Sequence, residues 1–170
     1  MDALEAILTR HSIRRYTAEP VGEELVRQVL AAAMSAPSAC NEQPWHFVVI
    51  DDRATLDAIP EYHAYSTSLK RAPVGVVICA DDRAGTLLPY WPQDCAAATQ
   101  NLLLAAHALG LGAVWLGIYP EADRIAKTRQ LLHLPEKVVP FCVISMGHPA
   151  VKAVQADRYD PARVHRNRWE

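Results

Sequence analysis

The stretch that decides the fold is residues 95–120, CAAATQNLLLAAHALGLGAVWLGIYP. It holds 26 residues without an Asp, Glu, Lys or Arg, which is long enough for one membrane-spanning helix. Three polar side chains, Gln100, Asn101 and His107, interrupt its apolar character. Gly110 and Gly112 would break a helix midway. We therefore interpret the stretch as a buried helix followed by a buried strand, and we predict that the chain does not enter a membrane.

Strand and helix patterns alternate on both sides of this stretch. Short apolar runs bounded by turn residues predict buried strands at residues 46–50, 74–80, 113–119 and 138–146. Apolar residues at helical spacing predict helices at residues 2–9, between Pro20 and Pro37, and at 53–59, 93–109 and 121–133. The polar segment at residues 61–72 is predicted to be a partly helical loop. Strands separated by helices predict one sheet that is covered on both faces.

Length and composition predict a single domain over residues 1–170. The 170 residues are 51% hydrophobic and 21% charged, which excludes intrinsic disorder. A chain of 18.8 kDa buries about 70% of its surface on folding, enough for one core and too little for two. The net charge of −2 gives no broad electrostatic footprint for nucleic acid. Residues 150–170 are polar and Arg-rich, and we expect this C-terminal extension to pack on a partner subunit.

The cysteines indicate neither a metal centre nor a redox motif. They stand 39, 16 and 47 residues apart, so neither metal-knuckle nor Cys-x-x-Cys spacing occurs among Cys40, Cys79, Cys95 and Cys142. No basic segment followed by an apolar run opens the chain, so we expect no signal peptide. Reduced thiols in the cytoplasm are the expected state.

Motifs of the common hydrolases and nucleotide-binding proteins are absent, including G-x-S-x-G, H-E-x-x-H and the P-loop. Gly110 and Gly112 have the G-x-G spacing of a dinucleotide fingerprint, but they follow a helix and precede a strand, the reverse of the required order. We therefore interpret Gly110 as a helix cap. Of the histidines, His107 is predicted to satisfy a core hydrogen bond, and His63 is either a solvated loop residue or a substrate contact.

Two segments carry the polar groups of a candidate site. The first, RHSIRR at residues 10–15, brings three guanidinium groups and a hydroxyl together after the first helix. Directed N–H and O–H donors of this kind suit a phosphate dianion. The alternative is that cations after a helix merely complement its dipole.

The second segment is the turn-rich loop APSACNEQPW at residues 36–45, between the second helix and the first strand. Ser38, Asn41 and Gln43 offer donors and acceptors together, as a planar heterocycle with both kinds of edge atom requires. The alternative is a plain connection bounded by prolines.

At these two segments the chain resembles the FMN-dependent nitroreductase family of the short, single-domain type, and the resemblance extends over nearly the whole chain. The matching segments, in the family's order, are R-x-S-x-R at 10–14, A-P-S-x-x-N-x-Q-P-W at 36–45, N-L-x-L-A-A-x-x-L-G-L-G at 101–112, W-x-G at 115–117, G-H-P at 147–149, and an Arg at 158. Each motif alone is of moderate specificity, and their ordered combination is specific.

The resemblance implies an α+β nitroreductase fold, with a central mixed sheet covered by helices on both faces and a C-terminal tail that wraps a partner subunit. It implies FMN as the cofactor, with Arg10, Ser12 and Arg158 at the phosphate. Arg14 would lie near the ribityl chain and the pyrimidine edge, where a cation stabilises the reduced flavin. Ala156 stands where many members have a lysine, which would leave the phosphate site one cation poorer.

The resemblance assigns further residues to the flavin ring and its surroundings. Pro37, Ser38 and Asn41 would border the ring system on one side, and backbone groups of residues 115–117 would meet the other side. The full set of residues implied at the cofactor is Arg10, His11, Ser12, Arg14, Pro37, Ser38, Asn41, Gln43, Trp115, Leu116, Gly117 and Arg158.

The implied activity passes reducing equivalents from NAD(P)H through FMN to nitroaromatic, quinone or similar acceptors in two half-reactions. Because the flavin carries this chemistry, we predict no catalytic side chain and no metal. The alternatives are a flavin enzyme of the same fold with a specialised substrate, such as a halogenated compound, and a non-catalytic FMN-binding protein. The expected partners are a second copy of the chain, in a homodimer, and a small-molecule acceptor, with neither nucleic acid nor a membrane.

Overall fold

Within residues 1–83, 85–151 and 158–169, which the computed structural model describes, four strands form one sheet in the order β1–β2–β4–β3. The strands are β1 (Trp45–Ile50), β2 (Val74–Asp81), β3 (Gly112–Gly117) and β4 (Val138–Gly147). The helices are α1 (Ala3–Thr9), α2 (Glu23–Met34), α3 (Arg53–Ala58), α4 (Trp91–Ala108) and α5 (Ala122–Leu131). The strands, and the helices whose ends were predicted, lie within two residues of their predicted bounds.

The α+β class is confirmed, with one correction to the sheet. All three neighbouring pairs, β1–β2, β2–β4 and β4–β3, are antiparallel, where a mixed sheet was expected. The strands β2 and β3 do run in the same direction with α4 between them in sequence, but β4 lies between them in the sheet, so no parallel ladder forms. Among the described residues, parallel pairing occurs at the isolated bridge from Ser12 to Ala113.

Both faces of the sheet are buried, as predicted. Successive residues of β2 point to opposite faces, so Val76 and Ile78 join one core cluster and Val77 and Cys79 join the other. The first cluster lies under α2 and α4, and the second lies under α3, the loop after it and α5. This double covering explains why the strands read as continuous apolar runs.

The deciding stretch folds as expected. α4 ends at Ala108, and Gly110 follows with a φ of +80°, a conformation that favours glycine. The N–H of Leu111 donates to the carbonyl oxygen of Ala106 at 2.8 Å, which closes the helix end before β3 begins. No helix among the described residues is long and apolar enough to cross a membrane.

Candidate functional site

The Arg-rich segment 10–15 is fixed to the sheet by main-chain hydrogen bonds. The N–H of Ile13 donates to the carbonyl oxygen of Ala113 on β3 at 3.0 Å. Further along, the N–H of Thr17 donates to the carbonyl oxygen of His148 at 2.9 Å, just beyond β4. The segment therefore crosses one end of the sheet, from the outer edge of β3 to the exit of β4.

Two paired glycines allow the segment 10–15 and Tyr16 to pack closely against strands β3 and β4. Gly112 on β3 lies opposite Gly147 on β4. A Cβ on Gly112 would lie 2.6 Å from Cγ2 of Ile13, and one on Gly147 would lie 2.7 Å from Cδ of Pro73 and 3.1 Å from the ring of Tyr16. Sequence reasoning treated both glycines only as parts of motifs, because the chain that passes over them is about a hundred residues away.

Substitution of either glycine is expected to destabilise the protein. Gly112→Ala and Gly147→Ala should each lower the free energy of unfolding by about 1–3 kcal/mol, because each added Cβ overlaps packed atoms. Urea unfolding followed by circular dichroism measures the change. Gly117→Ala is the matched control, since that site on the same strand β3 has nothing within 4 Å and needs no left-handed φ. Equal effects at Gly117 and Gly112 would contradict the close approach.

Tyr16 anchors the end of the segment. Its hydroxyl lies 2.7 Å from the carbonyl oxygen of Ile13 and 2.9 Å from that of Ser145, so it bridges the segment to β4. Burial raises the pKa of Tyr16 to about 12, so the hydroxyl keeps its proton and remains a donor at neutral pH. The donors that precede it are therefore held on a rigid support.

The segment presents two arginines, Arg10 and Arg14, that form no ion pair within the described part of the chain. Arg10 is half-buried, and Ser12 and Arg14 are exposed. Among the described residues, no carboxylate lies within 4.0 Å of Arg10 or Arg14. Burial lowers the pKa of the nearby His107, electrostatic interactions with His11 and Arg10 lower it further, and Glu5 opposes this. This end of the sheet therefore has the charge and the directed donors that suit a phosphate group.

The dipole alternative accounts for only part of this arrangement. Arg10 is the C-cap of α1, and no basic residue lies in the last turn of that seven-residue helix. Arg14 lies beyond the cap, on chain that is fixed to the sheet. A helix-end role can therefore explain Arg10 alone.

The loop 36–45 is held in an unusual backbone conformation. Cys40, Asn41 and Gln43 have φ values of 51°, 56° and 51°, in the left-handed region that non-glycine residues rarely occupy. Side chains hold it there: the hydroxyl of Ser38 accepts from the N–H of Gln43 at 3.0 Å, and Oδ1 of Asn41 accepts from Nε2 of Gln43 at 2.9 Å. Strain of about 1–3 kcal/mol per residue persists only where the surroundings enforce it, and such positions concentrate at functional sites.

Two buried or half-buried carboxylates tie the loop to its surroundings. Asp94, in the first turn of α4, accepts from the N–H of Ala39 at 2.9 Å. Glu42 accepts from the N–H of Leu88 at 3.1 Å. Pro37 and Asn41 remain exposed, and the side-chain amide nitrogen of Asn41 has no partner among the described residues. The loop is thus a rigid platform rather than a plain connection.

Within the described part of the chain, the outer edge of β3 has unpaired main-chain groups at Trp115, between two residues whose carbonyl oxygens already accept hydrogen bonds. The carbonyl oxygen of Ala113 accepts from Ile13, and that of Gly117 accepts from His63 and Arg124. In an antiparallel edge strand, the main-chain N–H and C=O of every second residue face the open edge. Trp115 lies two residues from both Ala113 and Gly117, so its N–H and C=O face the open edge as well. Neither has a hydrogen-bond partner among the described residues outside the β3–β4 ladder.

The length of α4 gives the distance between segment 10–15 and the loop 36–45, because the loop contacts one end of this helix and the residue before the segment contacts the other. Asp94 near its start contacts Ala39, and His107 near its end lies 2.8 Å from the hydroxyl of Thr9, next to Arg10. Thirteen residues of helix separate Asp94 from His107, which is about 20 Å at 1.5 Å per residue. The segments also flank opposite edge strands, β3 and β1. One subunit therefore brings segment 10–15 and residues 115–117 to the same edge, and it leaves the loop 36–45 at the opposite corner.

The sequence profile of the nitroreductase family matches residues 7–67 and 60–148. The chain belongs to the nitroreductase family. A protein of Methanothermobacter thermautotrophicus, provisionally named NADH dehydrogenase/NAD(P)H nitroreductase, is 50% identical over 169 residues, covering 99% of this chain and 88% of that protein.

Solved structures of the family share the fold. One from Bacteroides thetaiotaomicron, with the same provisional name, is 42% identical with a TM-score of 0.94 and covers 98% of each chain. A nitroreductase from Desulfovibrio desulfuricans, solved in complex with FMN, is 36% identical with a TM-score of 0.83, covering 98% of this chain and 97% of that one. These comparisons confirm the expected family and the α+β nitroreductase fold. The wrapping of the tail around a partner subunit stays a prediction.

The tail of this nitroreductase is described in part. Arg158 is exposed and follows residues 152–157, so the substitution at Ala156 lies outside the described residues. Tyr159 and Trp169 are 75% and 86% exposed. The structure of one chain therefore leaves large apolar side chains of the tail in solvent.

Of the two interpretations of His63 in this nitroreductase, the solvated loop residue is wrong. It is 1% exposed, and its Nε2 lies 2.8 Å from the carbonyl oxygen of Gly117. Since a carbonyl can only accept, Nε2 carries the proton. The bond fastens the loop 61–72 to the end of β3. The apolar neighbours Ile59 and Leu69 were the available signal for burial.

This burial predicts acid sensitivity. Desolvation lowers the pKa of His63 below its ordinary 6.5. The positive charge of Arg124 lowers this pKa further, and the hydrogen bond to Gly117 raises it in part. The unfolded chain takes up a proton below that ordinary value and the folded chain resists it, so stability falls as the pH drops below about 6.5. Urea unfolding at about pH 7.5 and about pH 5.5 should show a smaller pH effect in His63→Gln, which keeps a donor but does not titrate. An identical pH effect in both proteins would contradict the assignment.

Proposed function

We propose that this nitroreductase-family protein binds FMN and catalyses electron transfer from NAD(P)H to nitroaromatic, quinone or similar acceptors. The observation that carries the proposal is the donor set of Arg10, Ser12 and Arg14 on chain that is fixed to the sheet, with no carboxylate of the described residues within 4.0 Å of either arginine. The related structure from Desulfovibrio desulfuricans, which contains FMN, supports the choice of cofactor.

The residues fit the chemical parts of FMN. Arg10 and Ser12, joined by Arg158, would hold the phosphate through charge-assisted hydrogen bonds. His11 would contribute beside them, and Arg14 would place positive charge near the pyrimidine edge. The outward N–H and C=O of Trp115 form a donor and acceptor pair of the kind that a flavin edge requires.

The opposite side of the ring would be met by the loop 36–45. Pro37 would pack on the ring system, Ser38 and Asn41 would donate hydrogen bonds, and Gln43 would hold Asn41 in place. Rigid platforms suit this task, since a cofactor's potential depends on groups held at fixed positions. The hydride chemistry itself belongs to the bound flavin, so we assign no catalytic side chain.

We propose a homodimer because one subunit holds the two parts of this site about 20 Å apart. A two-fold axis can bring segment 10–15 of one copy beside the loop 36–45 of the other, and it makes each contact twice. An apolar face is available for the contact: Leu4, Ile7 and Leu8 of α1 are 71%, 53% and 65% exposed. Exposed apolar faces of this kind mark association surfaces.

The apolar surface of α4 is partly covered within one subunit. α2 packs along it, and Ala98 and Leu102 are fully buried. We therefore base the proposed association on α1 and the tail. We place the protein in the cytoplasm, where NAD(P)H is available and where its four free thiols would remain reduced.

Steady-state oxidation of NADPH and NADH with a nitroaromatic or quinone acceptor tests the proposed function. The FMN-loaded protein should oxidise one equivalent of donor by itself and should sustain oxidation only when the acceptor is present to take the electrons back from the flavin. A protein that holds FMN without an acceptor-dependent rate would instead be a carrier, and the proposal would fail. Rates with a halogenated acceptor alone would favour the specialised enzyme.

A further inference from the structure

A second basic site lies beside the Arg-rich segment. It is a pocket of about 330 Å³ whose walls are residues 16–18, residues 70–73 and Arg53. The side chains of Arg53, Lys70 and Arg71 give it three cations, and none of its lining residues is acidic. On a chain with a net charge of −2, this is a strong local excess of positive charge.

Arg53 is held as a fixed donor at the base of this pocket. Its guanidinium donates to the carbonyl oxygens of Ala72 at 2.9 Å and Leu69 at 2.5 Å. It also pairs with Asp57 at 3.0 Å, so its charge is partly neutralised. The pocket therefore has one oriented cation, and its excess charge comes from Lys70 and Arg71.

Lys70 and Arg71 are exposed, and no carboxylate of residues 1–83, 85–151 or 158–169 lies within 4.0 Å of either. Arg14 and Arg15 immediately precede the wall at Tyr16 and add to the positive potential. The carboxylate of Glu19 is close in sequence, but it lies 3.8 Å from Nε2 of His148. The pocket thus has the charge and the donors to bind a second dianion.

The pocket lies near the proposed flavin site but is separate from it. Pro73 of its wall lies against Gly147, which pairs with Gly112 at the start of β3. Gly117, at the end where the flavin ring is proposed, is five residues further along β3, about 17 Å away. That span is comparable with an extended dinucleotide. A donor whose nicotinamide lies at the ring could reach the pocket with its adenosine end.

We propose that this pocket binds the 2′-phosphate of NADPH and so makes the protein select NADPH over NADH. The inference rests on the proposed function and deepens it by naming the donor. The 2′-phosphate is the only group that distinguishes the two donors, and a dianion is what the two cations Lys70 and Arg71 can hold.

Donor kinetics of the FMN-loaded protein test this inference. In the double variant Lys70→Ala/Arg71→Ala, the KM for NADPH should rise roughly tenfold or more, as expected for the loss of charged phosphate contacts. The KM for NADH and the kcat with either donor should stay unchanged. Lys137→Ala is the control, because it removes an exposed cation at the opposite end of the sheet. The probe 2′,5′-ADP should inhibit the wild type competitively against NADPH, and the double variant much less.

The outcomes separate the inference from the proposed function. Equal KM changes for both donors, or no preference for NADPH in the wild type, would overturn the inference while leaving the flavin enzyme intact. Weakened FMN binding in the double variant would also overturn it, because Lys70 and Arg71 would then belong to the flavin. A flavin-loaded wild type that oxidises neither donor would refute the proposed function and the inference with it.

Discussion

Removing residues 152–170 is expected to turn an FMN-containing dimer into a monomer that retains little flavin. The deletion removes Arg158 from the phosphate and removes Tyr159, Val164 and Trp169, which are 75%, 56% and 86% exposed in one chain. A charged hydrogen bond contributes about 1.5–3 kcal/mol, so the loss of Arg158 alone should weaken FMN binding about tenfold or more. Loss of the partner's loop 36–45 should weaken it further.

Ending the chain after Val151 keeps the main-chain hydrogen bond between Ala150 and the Arg-rich segment 10–15. The N–H of Ala150 donates to the carbonyl oxygen of Arg15 at 2.9 Å, so a longer deletion would disturb that segment directly. Light scattering and flavin content at micromolar concentration are the measurements, and Arg158→Ala in the full chain separates the lost cation from the lost interface. A full-length monomer that still holds FMN would refute the dimer, as would a truncated dimer with full flavin.

Arg10→Ala should weaken FMN binding by tenfold or more. Arg10 is half-buried beside His11 and His107, and no carboxylate of the described residues lies within 4.0 Å of it. Its contact with a phosphate would be a charge-assisted hydrogen bond, and about 1.4 kcal/mol corresponds to a factor of ten in affinity. Fluorescence titration of the apoprotein with FMN measures the change.

Arg27→Ala is the control for charge alone. It also removes one guanidinium, but from an exposed ion pair with Glu24 on α2, which contributes little to stability. The control should bind FMN as the wild type does. An Arg10→Ala protein that is folded and has unchanged affinity would remove Arg10 from the phosphate site.

Much of the fold could be predicted because it depends on local patterns. Continuous apolar runs predicted the strands, and α1 begins at a local signal, since the carboxylate of Asp2 accepts from the N–H of Glu5 at 2.9 Å. Gly110 was correctly predicted as a cap because helix ends have a local signature. The order of the strands in the sheet has no local signature. The connections that contain α4 and α5 are long enough for a parallel or an antiparallel neighbour, so the position of β4 between β2 and β3 was not predicted.

The site depends on contacts between distant segments, and sequence reasoning saw only part of it. The pattern of segment 10–15 indicated its donors, but not that Gly112 and Gly147 make room for it. The hydroxyls and amides of the loop 36–45 were visible, whereas the left-handed backbone at Cys40 and Asn41 was not. The distance of about 20 Å between the segments required the fold, because α4 sets it.

The absorption spectrum of the purified protein, followed by release and chromatography of any bound cofactor, tests the central claim most directly. We expect a yellow protein with flavin absorption bands that releases FMN on denaturation, about one molecule per subunit, because each two-fold pair contains two equivalent sites. A colourless protein that takes up no FMN when titrated at micromolar concentration would contradict the account.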